Sequence, residues 1–138
     1  MSRVINPDSA GKERGHLTKA IVLAVRELAK QSDVGDTTRD LASFIALALL
    51  RVDETIDISV QAWEKRGYWV KADKFRMEWM WAKQMGEKMK DGVLGEDWGI
   101  VALTAAQVGQ KLVKIKIPEK HRLGSPWVGA YQNLIKDK

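Results

Sequence analysis

The chain carries three prolines, Pro7, Pro118 and Pro126, all near its ends. No proline interrupts the long interval between Pro7 and Pro118. An interior proline removes a helical hydrogen bond and clashes with the preceding turn, so this interval is open to long helices. Its apolar spacing has the helical period. Leu17, Ile21, Ala24, Val25 and Leu28 mark the buried stripe of a first helix. Asn6 is a good N-cap, Pro7 suits the first helical position, and Asp8 complements the helix dipole. Gly11 and Gly15 weaken the early turns, so the rigid part is expected to begin near His16, with residues 1–15 as a flexible lead-in. Ser32 to Gly35 ends this helix.

A second helix begins at Asp36, Thr37 or Thr38. Its stripe is Leu41, Ile45, Ala48, Leu49, Val52, Ile56, Val60 and Trp63. Continued to Lys65, it spans roughly 28 residues, or ~42 Å. Thr55 to Val60 alternates like a strand, but the stripe runs through it in phase, which predicts helix. Gly67 is the expected break. A third helix follows from Tyr68 to Met89 and ends near Gly92. Phe75, Trp79, Ala82, Met85 and Met89 share one face of it. Trp69, Met77, Met80 and Trp81 spread around its other sides. One stripe cannot bury them all, so this helix is central in the domain or touches something else.

In the C-terminal part, residues 95–138, Gly95 to Gly99 reads as a loop. Ile100 to Lys111 reads as helix, with a restart at Thr104. Val113 to Ile117 alternates, as a short strand or a frayed helix end, and Pro118 stops either. Ser125-Pro126 pairs an N-cap with a first-turn proline and predicts a last helix over Pro126–Lys136. The expectation is one domain over residues 1–138. It is all-α: an antiparallel bundle of three long helices with shorter C-terminal helices packed on it.

Six aromatic residues fall between Trp63 and Trp81, interleaved with five basic ones. Tryptophan and arginine are enriched at contact surfaces. Arg66, Trp69, Lys71, Lys74, Arg76 and Trp81 are therefore candidate residues for nucleic-acid or partner binding. The bland alternative is a solvated helix face, with Glu64, Asp73 and Glu78 as ion-pair partners and the aromatics in the core. A second basic stretch runs from Lys111 to Arg122, where Lys114, Lys116, Lys120 and Arg122 are candidates and Glu119 is the one acid. The net charge of +5 and the pI near 9.5 favour anionic partners.

The chain has no cysteine, which excludes disulfides and thiolate metal sites. No signal segment is read at the N-terminus, and the longest apolar stretch, Leu41 to Leu50, is about half the ~20 residues of a membrane span. A cytoplasmic protein with no membrane partner is expected. His16 and His121 read as lone surface histidines. Phosphate-binding glycine motifs are absent.

Asp53, Glu54 and Asp57 form the one enzyme-like group. Glu54-x-x-Asp57 is similar to the Glu-x-x-Asp pair with which all-helical nucleotide pyrophosphohydrolases of the MazG type hold magnesium. That family adds a Glu-rich motif on a preceding helix, where this chain offers Glu27 alone, so no metal or cofactor is expected. Thr104 to Leu112 resembles the first helix of a helix-turn-helix, with Pro126–Lys136 in the reader's place. Its connection, Ile115 to Ser125, is longer than that motif's turn of about 3–4 residues. In architecture and charge the chain resembles the small helical subunits of RNA-guided effector complexes. The reading is a non-catalytic binding subunit with protein partners in a multi-subunit, nucleoprotein complex and contact to RNA or DNA backbone. The alternative is a stand-alone nucleic-acid-binding regulator using the C-terminal region, and a nucleotide hydrolase comes third.

Overall fold

The computed structural model describes residues 7–118 and 121–136. They form five packed helices and no strand: α1 (Pro7–Ala29), α2 (Asp36–Lys65), α3 (Trp69–Leu94), α4 (Trp98–Lys111) and α5 (Ala130–Lys136). The all-helical class read from the apolar period is therefore observed.

The hub is α2. It packs most extensively on α3, then on α1, and it also meets α5 and α4. Leu41, Ile45, Ala48, Leu49, Val52, Ile56 and Val60 are all buried along it. Fully burying one such leucine, isoleucine or valine is worth about 1.5–3 kcal/mol, so this single stripe organises the core. Thr55 and Ser59 are buried too. Thr55 Oγ1 donates to the Val52 carbonyl at 2.6 Å, so the β-branched stretch stays helical without an orphaned hydroxyl.

The first helix runs unbroken through Gly11 and Gly15. Tertiary contacts reinforce those turns. Arg51 of α2 grips Glu13 with two charged hydrogen bonds, 2.6 and 2.8 Å long. Arg14 Nη1 donates to the Thr55 carbonyl and Oγ1, each at 3.2 Å, and to Ser59 Oγ at 3.4 Å. Ala10 is buried. The helix therefore extends N-terminal of His16, back to Pro7.

Gly67 ends α2. With φ of +82° it takes the left-handed conformation that glycine adopts at least cost. Tyr68 N donates to the Trp63 carbonyl at 2.9 Å, and Gly67 N to the Glu64 carbonyl at 3.0 Å. This is a Schellman cap, and it turns the chain directly into α3. The same bonding closes α3: Asp97 N reaches the Gly92 carbonyl at 2.8 Å, with Glu96 as the left-handed residue. Asp97 then caps α4, accepting from Ile100 N at 3.2 Å. The loop is thus shorter than Gly95–Gly99, and α4 starts at Trp98 with no restart at Thr104.

Two readings of the C-terminal part are corrected. Residues 113–118 are turn and coil, neither strand nor helix. The last helix begins at Ala130, not Pro126. Gly129 has φ of +83°, which interrupts any helix begun at Pro126. The N-terminal N–H groups of α5 are met from another element: Asp40 on α2 accepts from Gly129 N at 3.2 Å and Tyr131 N at 3.0 Å. A distant carboxylate replaces the local Ser125 cap, and no sequence spacing reveals that.

Candidate binding surfaces

The buried face of α3 is rich in alanine and glycine; Gly86 meets α2, and Gly92 meets Val101 and Ile100 of α4. Ala72, Ala82, Gly86, Met89, Gly92 and Val93 are the buried residues of α3. A Cβ on Gly86 would lie 3.1 Å from Leu49 and Leu50, so the backbones approach closely there. There is no room between the helices for the indoles. Phe75, Trp79, Trp81 and Met85 accordingly pack at the margin of the core, partly buried. Of the predicted stripe, only Ala82 and Met89 are fully enclosed.

The marginal aromatics form a continuous chain of rings. Trp63 meets Phe75 edge-on at 4.8 Å, Phe75 meets Trp79 at 6.4 Å, and Trp79 stacks on Trp81 at 5.7 Å. Cations close two faces of it. The Arg14 guanidinium lies 4.8 Å from the Phe75 centroid, and Lys71 Nζ lies 4.6 Å from that of Trp63. Burial holds the Arg14 pKa below the ordinary arginine value. Trp81 is therefore tied to the core, with one face covered by Trp79.

The opposite side of α3 differs. At about 100° per residue, Trp69, Val70, Met77 and Met80 fall in one sector, facing away from the Ala72–Val93 line. They are 61%, 71%, 71% and 52% exposed, and the exposed Asp73 lies among them on the same face. Arg66, Lys71, Lys74 and Arg76 are exposed; Lys74 and Arg76 flank this sector, whereas Lys71 falls on the α2 side, over Trp63. Among the described residues, none of the four has an ion pair within 4.0 Å, so the expected pairs with Glu64, Asp73 and Glu78 are not formed at that distance. The ion pairs lie elsewhere, at Lys30–Glu27, Arg39–Glu96, Arg51–Glu13 and Arg51–Glu54. An open hollow of about 540 Å³ lies beside the sector, lined by Trp63, Val70, Lys71, Lys74, Phe75 and Glu78.

The second basic stretch is only partly gathered. Lys116 and Arg122 line a hollow of about 240 Å³, joined by His121 and by Lys19 from α1. Ile117, Pro118 and Leu123 form its walls. Lys114 is exposed outside that lining, and Lys120 lies outside the described residues. Sequence reading missed Lys19, because only the tertiary fold brings it to the 116–123 segment. It also left His121 as an isolated surface group.

The acidic group separates into different roles. Glu54 pairs with Arg51 at 2.6 Å. Partial burial, then the nearby Asp57 charge, raises the Asp53 pKa above the usual carboxylate value. Among the described residues, no cluster of three His, Cys, Asp or Glu is placed to hold a metal ion. Among the described residues, no helix is long and apolar enough to cross a membrane. Residues 112–129 separate α4 from α5, and α5 packs on α2, so this pair lacks the short turn of a helix-turn-helix. No protein-family model, no curated protein and no solved structure matches the chain.

Proposed function

We propose that this chain is a non-catalytic, basic binding subunit of a larger nucleoprotein assembly, working in the cytoplasm. The observation that carries the reading is the group of large apolar side chains exposed on the outward side of α3, Trp69, Val70, Met77 and Met80. A helix that serves only its own core keeps its outward face polar. Contiguous apolar surface with a polar rim marks a partner site. Tryptophan supplies rigid contact area, and methionine adapts to the surface it meets. Lys74 and Arg76 flank this face without ion pairs among the described residues, so the partner we infer is a protein subunit whose apolar patch carries Asp or Glu opposite them. RNA or DNA in the same assembly would meet other basic surface.

The scaffold of this reading is an antiparallel bundle of the three long helices. The short connections 30–35 and 66–68 support it, since short links join antiparallel neighbours.

The test is purification of tagged protein from its native host, with and without nuclease, followed by gel filtration. A discrete, stoichiometric complex is expected from the wild type. Met77→Glu with Met80→Glu should abolish it, and Lys74→Glu with Arg76→Glu should make it dissociate at lower salt. A wild-type chain that elutes alone, or a complex unaffected by the methionine pair, would refute the proposal.

A further inference from the structure

The hollow between α1 and the segment after α4 shares no residue with the α3 surface. Its polar lining consists of hydrogen-bond donors: Lys19, Lys116, Arg122 and His121. His121 Nδ1 accepts the Leu123 backbone N–H at 3.3 Å. That bond holds the ring and leaves the proton of the neutral imidazole on Nε2, a donor. Among the described residues, no carboxylate lines the hollow, and Lys19, Lys116 and Arg122 have no ion pair within 4.0 Å. Ile117, Pro118 and Leu123 complete its walls with apolar surface. Its volume of about 240 Å³ exceeds what a single water fills, ~30 Å³ of liquid.

From this convergence we propose that the hollow is a phosphate-binding site, taking a phosphate of a polynucleotide backbone or of a free nucleotide. Three cationic side chains from two separate parts of the chain line one hollow, and the His121 imidazole adds a further donor. Guanidinium offers phosphate a two-pronged contact, and the lysines add point charge. The ring-walled hollow beside α3 is less suited to this role, because Glu78 lines it.

The test titrates the full chain with inorganic phosphate, with a mononucleotide and with a labelled single-stranded oligonucleotide, each at two salt concentrations. Lys19→Glu and Arg122→Glu alter exposed residues, and thermal melts will confirm that both variants fold. Each should weaken binding about tenfold or more and reduce the salt slope for the oligonucleotide by ~0.7 per lost phosphate contact. Lys88→Glu, the same charge change on α3, should leave binding within about twofold of wild type. Competition by the mononucleotide at low concentration would assign the site to free nucleotides, and binding of the oligonucleotide alone would assign it to a backbone. Met77→Glu with Met80→Glu should not affect any of these titrations, so failure here and failure of the α3 reading are separable. No binding by the wild type to any probe would overturn the proposal. Equal losses in Lys88→Glu and Lys19→Glu would do the same, by reducing the effect to net charge.

Discussion

The helices α2 and α3 are neighbours of similar length, 30 and 26 residues, yet they solve different problems. On α2 the apolar residues form one wide stripe, and neighbouring helices cover it. On α3 the buried face is mostly alanine and glycine, with Met89 and Val93, while its aromatic residues lie at the margin or on the far side. Burial of large side chains makes α2 the source of stability. Small residues make α3 a close-fitting cover, and its bulky side chains are left for other contacts. The amount of apolar surface on a helix therefore does not say how much of it serves the fold.

This contrast is open to direct attack. The largest effect should come from α2 itself. Leu49 is fully buried against α3, so Leu49→Ala should cost about 3–5 kcal/mol in denaturant unfolding. A loss below about 1 kcal/mol would remove α2 from its place as hub. Next is the fit between the helices. Gly86→Leu forces a side chain into the 3.1 Å approach to Leu49 and Leu50 and should cost about 2–3 kcal/mol, despite its better helix propensity.

The two tryptophans of α3 give a sharper comparison within one helix. Trp81 packs on the core and stacks on Trp79, so Trp81→Ala should lower stability by about 2 kcal/mol, less than a fully buried indole. Trp69 is 61% exposed, and Trp69→Ala should change stability by no more than about 0.5 kcal/mol. Equal thermal shifts in the two variants would erase the distinction between the faces.

The smallest effect concerns Asp53, where α2 carries a cost. Its pKa is raised in the fold, first by burial and then by the Asp57 charge. The folded state therefore holds this proton more tightly than the unfolded chain. The penalty is absent below the ordinary carboxylate pKa, sets in as pH rises, and is complete above the raised folded value. Asp53→Asn should raise stability at neutral pH by a few tenths of a kcal/mol after solvent screening. Melts at about pH 3, below the ordinary Asp pKa, should show no gain. A gain that persists in acid would point to packing, not charge.

Much of the fold was legible in the residues. The apolar stripe of α2 was read residue by residue from Leu41 to Val60, because helical period and burial coincide when one wide face meets the core. Gly67 was legible as a break, because only a residue tolerant of positive φ closes that cap cheaply. The basic residues around α3 were legible as candidates, but their lack of ion pairs was not, since partners at helical spacing in sequence need not meet in space.

What the sequence alone determined is the class and the main punctuation: helices, their order and the turn after Lys65. Those depend on local terms, namely propensity, period and backbone freedom. Tertiary structure decided the rest. It placed Asp40 on the start of α5, in place of Ser125, and tied the glycine-bearing turns of α1 to Arg51 and Thr55. It also sent Trp81 to the core and Trp69 to solvent, and brought Lys19 beside Lys116 and Arg122. Each of these depends on a contact between residues distant in the chain, whose energy is realised only once the helices have packed.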